Sequence, residues 1–222
     1  MMNAPNFNGS NGNPFTEPKH GTTTIALRTK DGVVVAADKR ASMGTFVASK
    51  KADKVHKLND STVATIAGLV SDAQYLINLT RANINLYELA RGYPPTSKMA
   101  GNLLASIMYE QYRQYFPYYV NMIVAGLDKE GPHVFNLDMA GGITDEDFAS
   151  TGSGSLVAIG VLEYTWKADL PEKEGIVIAI KALATAISRD TATGDGMDVA
   201  VVNKKGVRRL KPEEIKTILE AQ

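Results

Sequence analysis

Cysteine is absent from all 222 residues of the chain. A disulfide framework, a Cys-ligated zinc site and a cysteine nucleophile are therefore excluded together. Net charge is absent as well, with 24 Lys+Arg against 24 Asp+Glu. Without it the chain offers no blanket attraction for phosphate backbones or anionic lipid, so neither nucleic acid nor a membrane is expected as a partner. The basic stretch at residues 204–209, KKGVRR, is short and sits at a turn signal. No apolar run approaches the ~18 residues of a spanning helix. The N-terminus lacks the basic and apolar regions of a signal peptide, and a cytoplasmic location is expected. Histidine is scarce: His20, His56 and His133 stand alone. There is no HExxH, no paired-His spacing and no G-x-S-x-G elbow, so no metal or cofactor is expected.

What remains is ordinary globular material, 44% apolar and 22% charged, long enough for one sizeable domain. Its first 21 residues differ from the rest. Five Asn, three Gly and three Pro fall there without periodicity, too little apolar surface to offset ordering entropy. The boundary at Gly21-Thr22 is abrupt, and a strand pattern begins at once. TTTIALRT and VVVAADKR flank a Gly-containing turn and read as a hairpin. TFVAS and STVATIAGL are further strands, joined by a charged connection. Helices are predicted over residues 71–91, stopping at Gly92, and 96–115, closed by Pro117. Two strands, two helices (155–166 and 171–188), a last strand pair and a short helix after Pro212 complete the order. Strands seldom alternate singly with helices. The expected fold is therefore α+β, two antiparallel sheets packed together with helix pairs outside.

Three segments have chemical potential. Residues 150–155, STGSGS, could cradle an anion through backbone N–H groups, but they lack the Gly-Lys-Ser/Thr ending of a phosphate loop. Residues 190–198, DTATGDGMD, resemble a calcium loop, yet their acids and glycines miss the EF-hand positions. The third is the threonine run after Gly21. It reads as β-propensity, or as a nucleophile exposed by cleavage at Gly21-Thr22. In the second case the Thr22 hydroxyl attacks and its own α-amine is the base. An α-amine has a reference pKa of about 7.7–8.0 and keeps a useful neutral fraction near neutral pH. While Gly21 is attached, the same nitrogen is an amide and cannot accept a proton.

Taken together, these segments resemble proteasome β subunits, most closely the archaeal kind. The resemblance runs from about residue 21 to 222. It rests on Gly21-Thr22-Thr23-Thr24, Ala37-Asp38-Lys39-Arg40, Asp53-Lys54, the run 67–73 (AGLVSDA), residues 150–155 and Ser188-Arg189-Asp190. It implies the four-layer αββα sandwich of N-terminal nucleophile hydrolases. It also implies threonine-type endopeptidase cleavage of unfolded polypeptides, after self-removal of a propeptide spanning residues 1–21 from a catalytic domain spanning 22–222. Under it Thr22 is the nucleophile and Asp38 and Lys54 the adjacent acid–base pair. Ser153, Asp190 and Thr193 orient the terminal amine, and the Gly68 N–H is the oxyanion donor. Two positions depart from the family pattern: Thr193 stands where Ser is common, and Asp195 interrupts what is often Gly-Gly.

The resemblance further assigns Ala41, Ser42, Ala52, Ile66 and Val70 to the pocket for the residue before the cut. None is charged, and a chymotrypsin-like preference for large apolar residues is expected. The implied partners are other β subunits in a seven-membered ring, α subunits and, indirectly, a regulatory ATPase ring. An inactive structural subunit, or a relative hydrolysing a small amide such as glutamine, are the competing expectations.

Overall fold

The computed structural model describes residues 21–221; the segment 1–20, with His20 and most of the expected propeptide, lies outside the described residues. In chain order the strands β1 (Thr23–Thr29), β2 (Gly32–Asp38), β3 (Ala41–Met43), β4 (Phe46–Ser49), β5 (Val55–Asn59) and β6 (Thr62–Gly68) come first. Helices α1 (Val70–Arg91) and α2 (Ser97–Arg113) follow, then β7 (Val120–Asp128), β8 (Gly131–Leu137), β9 (Ile143–Asp145) and β10 (Phe148–Gly152). Helices α3 (Ser155–Thr165) and α4 (Glu172–Arg189), strands β11 (Met197–Asn203) and β12 (Gly206–Arg209), and α5 (Pro212–Glu220) complete the chain. One five-stranded sheet has the order β10-β1-β2-β11-β12, the other β5-β6-β7-β8-β9, with β3-β4 a separate ribbon. Every pairing is antiparallel. This is the α+β sandwich expected from the element order.

Side-chain alternation explains the four layers. Along β1, Ile25 and Leu27 face α3 and α4, where they meet Leu162, Ile180 and Leu183. Ala26, between them, faces the second sheet, packing in one cluster with Val35, Val63, Ile123 and Ala125. Strand β7 repeats this from the other side: Met122 and Val124 pack with Leu76, Leu104 and Met108 of α1 and α2. Since successive strand residues point to opposite faces, a strand covered on both sides must be apolar at nearly every position. That is why VVVAA and MIVA read as unbroken apolar runs rather than alternating ones. Alanines at the sheet–sheet interface also let the two sheets approach.

Local signals set the ends of the helices. Thr96 caps α2, its side-chain oxygen accepting from the Met99 N–H at 3.1 Å. Gly92 ends α1 with φ 77° and donates to the Glu88 carbonyl. The buried stripe of α1 is Ala73, Leu76, Ile77, Thr80 and Ile84, whereas Leu86 and Leu89 point outward. Strand β5 lies within the charged connection between TFVAS and STVATIAGL, and β10 takes in the first three residues of STGSGS. Both are edge strands, as is the short β9; with one flank unpaired they carry polar residues and weak alternation. Among the described residues, no helix is long and apolar enough to cross a membrane.

The central layer yields a stability prediction. Ile123 is completely buried and Leu89 is 83% exposed. Ile123→Ala should cost about 2–5 kcal/mol in denaturant unfolding, through lost transfer energy plus a cavity. Leu89→Ala should stay within about 0.5 kcal/mol of the parent; equal losses at both positions would contradict the layer assignment.

Candidate active site

Five chain segments converge at one end of the sandwich: the start of β1, the end of β2, the connection entering β5, the turn from β10 into α3, and the loop from α4 to β11. The wholly buried Asp38 carboxylate joins four of them. Its Oδ1 accepts from the Thr23 N–H at 2.9 Å and from Lys54 Nζ at 2.7 Å. Its Oδ2 accepts from the Arg40 N–H at 3.0 Å and from the Gly194 N–H at 2.9 Å. A buried carboxylate needs such partners to remain charged. The Lys54 ammonium also donates to the Arg40 carbonyl at 2.5 Å. Burial pulls the Lys54 pKa below its ordinary value, and the charge and hydrogen bond of Asp38 oppose that pull.

A second polar cluster lies on the other side of Thr22. Ser153 Oγ and Thr193 Oγ1 each donate to Asp190 Oδ2 at 2.5 Å. With its proton turned to Asp190, Ser153 Oγ accepts from the Thr22 N–H at 3.2 Å. The Thr193 oxygen is likewise left to accept from the Thr23 hydroxyl at 2.7 Å. The bond from the Asp190 N–H to the Ala186 carbonyl ends α4, so the helix sets where this carboxylate sits. Gly152 permits the close approach of β10: it has φ 93°, and a Cβ there would lie 2.1 Å from the Thr22 carbonyl oxygen.

Ala41, Ser42, Ala52, Ile66 and Val70 line one cavity of about 60 Å³ together with Gly21, Thr22, Lys54 and Gly68. Asp53 also lines it, a charge that the sequence reading did not include. Arg209 Nη2 lies 3.2 Å from Asp53 Oδ1 and partly offsets that charge. On the far side of Gly21 and Gly68, a groove of about 650 Å³ runs past Tyr119, Asn121 and residues 150–153. Gly21 itself is tightly held. Its N–H donates to Ser42 Oγ at 2.9 Å, and a Cβ would lie 1.7 Å from that of Ala192. Position 21 thus has no room for a side chain.

Other sequence candidates lie elsewhere or do different work. His133 Nδ1 pairs with Asp145 Oδ2 at 2.9 Å and stacks on Phe135, and His56 lies on β5. Asp198, from the calcium-like stretch, pairs with Arg209 at 2.9 Å. Among the described residues, no group of three or more His, Asp or Glu is arranged to hold a metal. Two contributors escaped sequence reasoning: Thr23, through its bonds to Asp38 and Thr193, and Asp195, whose carboxylate pairs with Arg40. The only signal for Asp195 was its departure from a glycine pattern.

The buried cation makes a pH prediction. The lowered Lys54 pKa means that the unfolded chain holds this proton more tightly than the folded one. Stability from this group therefore rises with pH between the lowered folded value and the ordinary 10.5. In Lys54→Met that alkaline rise should vanish when unfolding free energies of the two chains are compared across pH; an identical pH dependence would contradict the burial effect.

The Proteasome family, described as "Proteasome subunit", matches residues 18–202. "Proteasome subunit beta 1" of Korarchaeum cryptofilum is 45% identical over 201 residues, 90% of this chain and 96% of that protein. "Proteasome subunit beta" of Ferroglobus placidus is 43% identical, over 90% and 95% respectively. The Methanothrix thermoacetophila protein of the same name is 40% identical over 93% of this chain and its own whole length. With its fold, its converging polar clusters and these relatives, the chain belongs to the proteasome β-subunit family.

Proposed function

We propose that the chain is a catalytic β subunit, a threonine endopeptidase activated by cleavage between Gly21 and Thr22. The observation that carries this reading is the hydrogen bond from the Thr22 N–H to Ser153 Oγ, beside the buried Asp38–Lys54 pair. In self-cleavage the Thr22 hydroxyl adds to the Gly21 carbonyl carbon. The peptide C–N bond then breaks, the nitrogen takes the proton, and an ester links Gly21 to the Thr22 oxygen. Water hydrolyses that ester, releasing residues 1–21 with a new carboxylate and restoring the hydroxyl. The net change at residue 22 is amide to amine.

In peptide cleavage the new amine accepts the hydroxyl proton as Oγ1 attacks the substrate carbonyl. Lys54 stabilises the negative charge developing on Oγ1, and Asp38 fixes Lys54. The Ser153 lone pair orients one amine N–H, while Asp190 and Thr193 hold Ser153 and Thr23. The Gly68 N–H stabilises the oxyanion, a contribution typically about 10²–10³ in rate. The amine then passes its proton to the leaving nitrogen, and water hydrolyses the acyl ester. Base and nucleophile on one residue remove much of the orientational cost.

The substrates on this reading are unfolded polypeptides in an enclosed cytoplasmic chamber. Seven β subunits form a ring, α subunits stack on it, and a regulatory ATPase docks on them. Names of the relatives support only the family; stoichiometry and regulator follow from the resemblance. Assembly by its α partner should yield a mature chain whose measured mass begins at Thr22. Thr22→Ala should retain residues 1–21 and lose peptidase activity by more than about 10³-fold, with the fold intact. Peptidase activity at the parent rate in that variant would refute the mechanism.

Cleavage preference follows from the cavity. Ala41, Ala52, Ile66 and Val70 present apolar walls, and Asp53 repels an acidic side chain while Arg209 blunts its attraction for a basic one. Fluorogenic peptides ending in Tyr or Leu should have higher kcat/KM than those ending in Glu or Arg. The reverse order would overturn the chymotrypsin-like assignment.

A further inference from the structure

Two loops must hold still for the proposed chemistry. The turn at residues 38–40 carries Asp38 and the carbonyl that anchors Lys54; the loop at 190–196 carries Asp190 and Thr193. Backbone groups join them twice, through the Lys39 N–H to the Gly194 carbonyl at 3.1 Å and the Gly194 N–H to Asp38 at 2.9 Å. The third link is the Arg40 side chain. Its Nη1 donates to the Thr191 carbonyl at 2.7 Å, and its Nε donates to Asp195 Oδ2 at 2.7 Å. The guanidinium lies directly on Gly194, where a Cβ would fall 2.7 Å from Cζ.

Asp195 holds this arrangement at some backbone cost. It has φ 61°, in the left-handed region that favours glycine, although Asp tolerates it better than most residues. Of the side chains on the two loops, Asp195 is the one that pairs with the guanidinium. The hydrogen bond from Arg40 lowers the Asp195 pKa below the ordinary carboxylate value.

Resting on the catalytic reading above, we propose that Asp195 is a positioning residue for the Thr22 site. By gripping Arg40 it locks the turn bearing Asp38 to the loop bearing Asp190 and Thr193. Arg40 is then anchored at three points: its N–H on Asp38, its carbonyl under Lys54, and its guanidinium between Thr191 and Asp195. Without the carboxylate, the guanidinium swings toward solvent and the Thr191 contact loosens. Asp190 and Thr193 then drift from Thr22 and Thr23, while the cavity at Ala41, Ala52, Ile66 and Val70 is untouched. Turnover should suffer and substrate binding should not.

The test uses the full chain assembled with its α partner. Asp195→Gly is the informative variant, because glycine adopts φ 61° without strain and removes only the carboxylate. For a peptide ending in Tyr or Leu, kcat should fall about 10- to 100-fold, the scale of a small misplacement of catalytic groups. KM should change less than about twofold and thermal stability should not decrease. Asp195→Asn, which keeps an acceptor for Arg40, should recover most of the turnover. The double variant with Arg40→Gln should be no slower than Arg40→Gln alone, since both break the same link. As a control, Glu174→Ala on α4, which breaks an exposed ion pair with Lys167 in the preceding connection, should match the parent. Parent-like kcat in Asp195→Gly, a fall expressed in KM, or an additive double variant would each overturn the positioning role alone. A parent chain that assembles without any peptidase activity would instead overturn the catalytic reading along with it.

Discussion

Four segments of the site are tied together by the Asp38 carboxylate at the end of β2. It sits at the end of a strand buried on both faces, with no solvent to share its charge, and takes one hydrogen bond from each of four different places. Breaking a buried pair typically costs about 3–5 kcal/mol, because it strands a charge. The start of β1, the turn after β2, the Lys54 segment and the loop after α4 are therefore pinned to one point. A small displacement of any of them leaves a donor or an acceptor unsatisfied. Such a site has one arrangement, not a family of nearby ones.

Asp38 is where it is because of the sandwich. Each sheet is covered by helices outside and by the other sheet inside, and small residues such as Ala26, Ala37 and Ala125 keep the middle layer close-packed. The ends of the central strands open on one edge of that packed layer, and the polar groups collect there. The two cavities meet at Gly21 and Gly68, so a chain lying along this edge passes directly over Thr22. The same tight packing leaves no space for a side chain at position 21, beside Ala192.

Much of this was legible in the sequence because much of it is local. Unbroken apolar runs marked β2 and β7, the hairpin pattern around Gly32 marked β1, and Thr96 and Gly92 marked helix ends. The strands that escaped notice, β3, β5, β9 and β10, each have one flank unpaired, where alternation fades. Along α1, Leu76, Leu79, Leu86 and Leu89 recur near helical spacing, yet the packed stripe runs through Leu76, Ile77 and Ile84 and leaves Leu86 and Leu89 exposed. Burial along a long helix depends on where its partner ends, which periodicity alone does not contain. The site followed the same division. Resemblance supplied Thr22, Asp38 and Lys54 as candidates, but neither Thr23 nor the charge of Asp53 in the cavity wall stood out.

Residue order alone specifies an α+β chain without cysteine chemistry, with its succession of strands and helices and an abrupt boundary at Gly21-Thr22. These depend on residue type, short-range periodicity and capping, which neighbours in the chain decide. Which polar groups share a proton or a charge is settled by folding. Ser153 and Asp190 are 37 residues apart and Asp195 and Arg40 are 155 apart, yet each pair is in hydrogen-bond contact. Contacts over such separations exist only once the sheets have stacked and excluded water. A carboxylate that reads as an irregularity in the sequence can then become a clamp in the fold.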